Sequence, residues 1–161
     1  MKKISVVLFF ILSSLSTVAR WKHALVIGNG AYRILTRLNN PVNDANGMAA
    51  ALRELGFTVY AVVDRGRVQM EEAIERFKNQ LSVSRNRCGF LFYTSHGVQS
   101  EGVNYLIPVD ADIRSEAYLR DRAVSVQAML DEINESDNEL NIVVLDPCRD
   151  NSFGWARTGI R

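Results

Sequence analysis

Cysteine and histidine are scarce in this chain: 161 residues hold two of each. They are Cys88, Cys148, His23 and His96, and none of their spacings resembles a paired CxxC or HxxxH ligand set. Cys148, His96 and Asp146 could at most supply three ligands, so no metal and no other cofactor is expected. Charge of one sign is lacking too. Nineteen basic and 18 acidic residues leave a formal charge of +1, without the clustered basic excess of a nucleic-acid binder. Repeats and low-complexity tracts are absent. A third glycine is missing from Gly28-Asn29-Gly30, because Arg33 stands where GxGxxG requires it, and a dinucleotide site is disfavoured on that motif.

Only one stretch lacks charge for long, Ile4 to Ala19, and it follows Lys2 and Lys3. It falls short of the roughly 20 residues that span a bilayer. A basic start, an apolar run and the small residues of Thr17-Val18-Ala19 read as a cleaved secretory signal over 1–19, with an uncleaved anchor as the alternative. The expected location is therefore secreted or periplasmic, with no membrane contact beyond that segment. Residues 20–161 are long enough for one globular domain.

What is present is an alternation of apolar runs and amphipathic stretches. His23–Gly28 reads as a buried strand. Pro41–Leu55 reads as a helix, with Asn40 as cap, Pro41 in the first turn and Gly56 as the stop. Asp44 sits in its first turn, where a carboxylate suits the helix dipole. Phe57–Val63 is a second strand and Asp64-Arg65-Gly66 a turn. Val68–Leu81 is a helix with Met70, Ile74, Phe77 and Leu81 on one face. Cys88–Tyr93 is a third strand that ends in Thr94-Ser95-His96-Gly97. Ser100-Glu101-Gly102 predicts a hairpin returning through Tyr105-Leu106-Ile107. Asp110–Arg122 reads as polar and irregular, and Ser125 caps a helix to about Asn134. The stretch Leu140–Phe153 organises the rest: a buried strand, Ile142–Leu145, runs into Asp146-Pro147-Cys148-Arg149. Helical crossovers between buried strands predict an α/β fold, a mainly parallel sheet with helices on both faces.

In such sheets ligands gather at the carboxyl ends of strands. His96 and Cys148 both fall there, while His23 opens its strand at the opposite edge. A thiol acts as a nucleophile once a base can take its proton, and His96 is the histidine placed to do so. A disulfide between Cys88 and Cys148 would need Cα atoms within about 7 Å. Parallel strands put the two at opposite ends of the sheet, so Cys88 reads as a buried small hydrophobe and Cys148 as a free thiol.

Four segments, in order, resemble the caspase-like cysteine peptidases, on the bacterial side near metacaspases and paracaspases. They are ALVIGNGAY at 24–32, NPVNDANGMAAALRELGF at 40–57, FYTSHGVQSEGVNYLIPVDA at 92–111 and VVLDPCRDNSF at 143–153. The 52 positions from His96 to Cys148 also suit the roughly 50 of caspases. The resemblance implies a three-layer caspase-like sandwich and hydrolysis of peptide bonds. Cys148 would be the nucleophile and His96 the general base and acid. The N–H groups of Gly97 and Cys148 would form the oxyanion hole. Asp44 and Asp146 match the acidic residues that select Arg or Lys in metacaspase-type members, so the expected partner is a peptide or protein substrate with basic residues. The sequence departs from the family at Ser95, usually Gly, and at Pro147, usually small. The family domain normally continues with further strands, whereas this sequence ends thirteen residues after Cys148. It reads as a large-subunit-like portion. The alternative is a catalytically inactive caspase-like module that binds or regulates, with a complementing segment or a second copy of itself as partner.

Overall fold

A computed structural model describes residues 21–148. Residues 1–20, which hold the stretch expected to be a signal, and those from Arg149 onward lie outside the described residues. The elements in order are β1 (Trp21–Gly28), α1 (Pro41–Glu54), β2 (Thr58–Val63), α2 (Arg67–Leu81), β3 (Arg87–Ser100) and β4 (Val103–Leu106). A 3-10 turn (Glu116–Tyr118), α3 (Leu119–Arg122), β5 (Val124–Ser125), α4 (Val126–Asn134) and β6 (Leu140–Cys148) follow. Four strands run parallel in the order β2-β1-β3-β6. The second half of β3 leaves this sheet and pairs antiparallel with β4, which pairs with β5.

Period-2 alternation divides the strand side chains between two faces. Ala24, Val26 and Phe92 pack against Ala45, Ala49 and Leu52 of α1 on one face. Leu25, Ile27, Leu91 and Tyr93 pack against α2 and α4 on the other, through Met70, Ile74, Phe77, Met129 and Ile133. Helices on both faces of a mainly parallel sheet are the α/β layering that the sequence predicts. Burying the largest of these side chains contributes about 1.5–3 kcal/mol each.

The ends of the elements show where local signals were overruled. Asn40 precedes α1 but makes no side-chain cap bond; its carbonyl takes the amide of Asp44 instead, at 2.9 Å. Gly56 does end α1, with φ +82°. Helix α2 starts at Gly66, which has no side chain to cap it. The carboxylate of Asp110 fills that role from 43 positions away, accepting the Arg67 amide at 3.1 Å. Ser125 caps α4, accepting from the Ala128 amide at 3.4 Å.

Two strands differ from expectation. Instead of ending before His96, β3 runs through it to Ser100, because hairpin pairing with β4 takes over where β1 stops. The turn itself falls as predicted, at Glu101 and Gly102, both with positive φ. Strand β6 extends to Cys148 and is buried on one face only. Val143 and Leu145 pack on the core, while Leu140, Ile142 and Val144 are about two-fifths exposed at 43%, 40% and 38%. The stretch expected to be irregular, Asp110–Arg122, contains the 3-10 turn and α3.

Candidate active site

The site begins with strand register. β3 and β6 pair without interruption from Cys88 opposite Leu140 to His96 opposite Cys148. Register partners in a parallel pair point to the same face, and neighbouring strands lie about 4.8 Å apart. The imidazole of His96 and the thiol of Cys148 are thus neighbours across one rung. Eight rungs separate Cys88 from that level, roughly 26 Å of strand. Both cysteines are reduced, Cys88 buried and Cys148 exposed.

His96 is buried, with 1% of its surface exposed. Its Nε2 lies 2.8 Å from the carbonyl oxygen of Thr36. A carbonyl only accepts, so Nε2 carries the hydrogen, and Nδ1 is the nitrogen that takes a proton. The ring also meets Tyr32, with centroids 4.6 Å apart and planes tilted by 54°. Both contacts come from the loop between β1 and α1.

Asp64 shapes that loop. At φ +52°, it turns its carboxylate toward the chain leaving β1. There it accepts the amides of Gly30 at 2.8 Å and Ala31 at 2.7 Å. The Leu38 amide closes the loop onto the Gly30 carbonyl at 3.0 Å, and Arg33 ties it to Val109 at 3.3 Å. The two glycines of Gly28-Asn29-Gly30 serve this packing. A Cβ on Gly28 would stand 2.5 Å from the Pro41 oxygen, and one on Gly30 2.5 Å from the Leu38 oxygen. An open cavity of about 660 Å³ runs beside the loop, lined by Tyr32, Arg33, Arg37 and Asp64 among others.

The remaining residues singled out in the sequence gather at the same edge. Gly97 follows His96 and is half-buried; a Cβ there would come within 2.7 Å of Pro147 Cβ. Asp146 is exposed, opposite Thr94 and two positions before Cys148, hence on the face of the thiol. Asp44 is exposed in the first turn of α1, whose Pro41 lies over Gly28 on that face. His23 takes no part. It lies near the other end of the sheet with Nε2 3.1 Å from Nη1 of Arg87. Burial, then the neighbouring guanidinium, lower its pKa below 6.5.

Sequence reasoning missed Tyr32, Thr36 and Asp64. Tyr32 lies inside ALVIGNGAY, one of the four segments of family resemblance, and Asp64 inside a predicted turn. Thr36 acts through its backbone and leaves no side-chain signal.

A sheet edge with a cysteine and a histidine on one rung suits a cysteine-peptidase type of site. Residues 21–159 match the caspase domain family, and the chain belongs to that family, one of cysteine peptidases. It is 33% identical over 132 residues to human mucosa-associated lymphoid tissue lymphoma translocation protein 1, covering 82% of this chain and 15% of that protein. The mouse homolog is 32% identical over the same length and shares. The chain thus spans about one-seventh of these curated relatives. A crystal structure of a Geobacter sulfurreducens protein has the same fold, with TM-score 0.62 and 19% identity over 81% of this chain and 51% of that one.

Proposed function

We propose that this protein is a cysteine endopeptidase that cuts after Arg or Lys through Cys148 and His96. The observation that carries the reading is the register that puts His96 opposite Cys148. In the first step Nδ1 of His96 takes the thiol proton, and the thiolate attacks the peptide carbonyl. The N–H groups of Gly97 and Cys148 stabilise the oxyanion. Collapse expels the amine, which takes the proton back from His96, and leaves a thioester. Water, activated by the neutral imidazole, then hydrolyses that thioester and restores the thiol. Thr36 holds the tautomer throughout, because its carbonyl can only accept. Asp44 and Asp146 supply negative charge for a basic substrate side chain.

The test exposes the full chain to an arginyl peptide bearing a thiol-reactive warhead, read by intact mass. One adduct on Cys148 is expected, with none in Cys148→Ala and none from an aspartyl probe. Asp146→Asn should slow arginyl labelling about tenfold, the worth of one charged contact, and leave a neutral probe unchanged. Absence of any adduct on a folded chain would sink the peptidase reading and favour the binding-module one.

A further inference from the structure

The last rung between β1 and β3 pairs Gly28 with Thr94. Past it, β3 continues through Ser95 and His96, but β1 has ended. The His96 amide therefore falls between the last rung of β1 and the first rung of β4, at Gly97 opposite Leu106, just where the imidazole must be held. A buried amide left without an acceptor costs about 1–3 kcal/mol, so something must replace the strand.

Tyr32 does. It is 3% exposed, and its hydroxyl accepts the His96 amide at 3.3 Å while donating to the Ile107 carbonyl at 2.7 Å. The same oxygen contacts Oγ of Ser95, which donates to the Asn29 carbonyl. At the same strand edge, the His96 carbonyl receives the Tyr93 hydroxyl at 2.7 Å and the Ile107 amide at 3.2 Å. Both backbone groups of His96 are thus tied to tyrosines, and one of those tyrosines also lies against the imidazole. Burial pushes the Tyr32 phenol up to about 12, so it remains a neutral donor and acceptor at any working pH. Ser95, which stands where a glycine is usual, contributes a hydroxyl to this network, and that gives its side chain a purpose.

We propose that Tyr32 is a positioning residue for His96: its hydroxyl replaces the missing β1 partner, and its ring steadies the imidazole so that Nε2 stays on Thr36. The proposal rests on the Cys148–His96 reading for its catalytic meaning. Its structural part can be measured without any peptidase activity.

Two variants of the full chain separate the contributions. Tyr32→Phe keeps the ring and removes the hydroxyl; Tyr32→Ala removes both. Alkylation of Cys148 by iodoacetamide, mapped by mass across pH, reports how readily the thiolate forms. Nitrogen-15 spectra of the His96 ring report its tautomer. With the fold intact by circular dichroism, Tyr32→Phe should slow Cys148 alkylation at neutral pH about tenfold, the loss of one buried hydrogen bond, and move its pH midpoint. The wild-type ring should be a single Nε2–H tautomer and the variant ring a mixture. With an arginyl substrate, kcat should fall and KM stay put. A folded Tyr32→Phe with wild-type alkylation, midpoint and tautomer overturns the proposal. If wild-type Cys148 alkylates no faster than an ordinary peptide thiol, the peptidase reading fails instead, and the tautomer comparison alone decides Tyr32. Should neither variant fold, a wild-type His96 ring that populates both tautomers would overturn it.

Discussion

The parallel sheet carries one histidine and one cysteine near each end. At one end, His23 and Cys88 lie on the adjacent strands β1 and β3, one rung apart. At the other, His96 and Cys148 share a rung of β3 and β6. The residue types are the same and the chemistry is not. Cys88 is buried, at 8% exposure, among side chains of the core. His23 turns Nε2 to Arg87, a donor, so its lone pair is occupied and protonation is penalised. His96 presents Nε2–H to a carbonyl, which keeps Nδ1 as the basic nitrogen, and its neighbour Cys148 is exposed. Rung, face and tautomer, more than proximity within one sheet, set His96 and Cys148 apart from His23 and Cys88.

The sharpest break of this comparison is a pair of alanine variants. His96→Ala should lower peptide cleavage about 10²- to 10⁴-fold, the range for a lost general base. His23→Ala should leave kcat within twofold, roughly what a site outside the chemistry allows. Equal losses in steady-state kinetics would remove the distinction between the two ends.

Next in size are the supports at each end. Asp64→Ala leaves the amides of Gly30 and Ala31 without their acceptor. It should cost about 2 kcal/mol in urea unfolding and slow Cys148 alkylation as well. Asp64→Asn retains a side-chain oxygen and tolerates positive φ, and should recover most of both. At the other end, Asn138 donates to the carbonyls of Arg87 and Leu140 at 3.1 and 3.0 Å. Asn138→Ala should cost about 1–2 kcal/mol with no change in alkylation rate.

A smaller effect, the coupling between two variants, tests the rung itself. Gly97→Ala drives a methyl toward Pro147 Cβ and should destabilise the fold by about 1–3 kcal/mol. Combined with Pro147→Gly, which clears that space, the loss should be less than the sum of the two single variants by about 1 kcal/mol. Strict additivity in urea melts would mean that the two strands do not meet as described.

The smallest prediction concerns pH. Because the folded state lowers the His23 pKa, the unfolded chain binds that proton first as pH falls through 6.5. Stability should therefore drop from that point downward until the folded-state pKa is passed, then level off for this group. His23→Gln should flatten that part of the profile in urea midpoints measured from pH 8 to 5. An unchanged slope would assign the acid sensitivity to other groups.

Much of this architecture is legible in the residues. Helices α1, α2 and α4 follow from apolar positions three and four apart, with Pro41, Gly56 and Ser125 as punctuation. The hairpin follows from Glu101-Gly102, and the core strands from their β-branched runs. The candidate pair His96 and Cys148 was also legible, since each follows a short apolar run and lies in a segment with a family resemblance. Other features were hidden for physical reasons. The length of β3 depends on a partner, β4, that lies beyond the hairpin turn. Half of β6 is exposed although Leu140, Ile142 and Val144 are apolar, because α1 packs across β2, β1 and β3. Neither Asp110 as the cap of α2 nor Thr36 as the acceptor for His96 has a local sequence signal.

Composition and periodicity in this chain dictate which segments form helices and strands, because backbone propensity and the 3.6 and 2.0 repeats are local properties. They also leave two cysteines, too few for a disulfide framework, and no net basic excess beyond +1. Register, face and tautomer belong to the tertiary structure. Only pairing of β3 with β6 over nine rungs sets His96 opposite Cys148, and only the loop folded by Asp64 brings Thr36 and Tyr32 to the imidazole. Those contacts join residues more than fifty positions apart, and no local rule reaches that far.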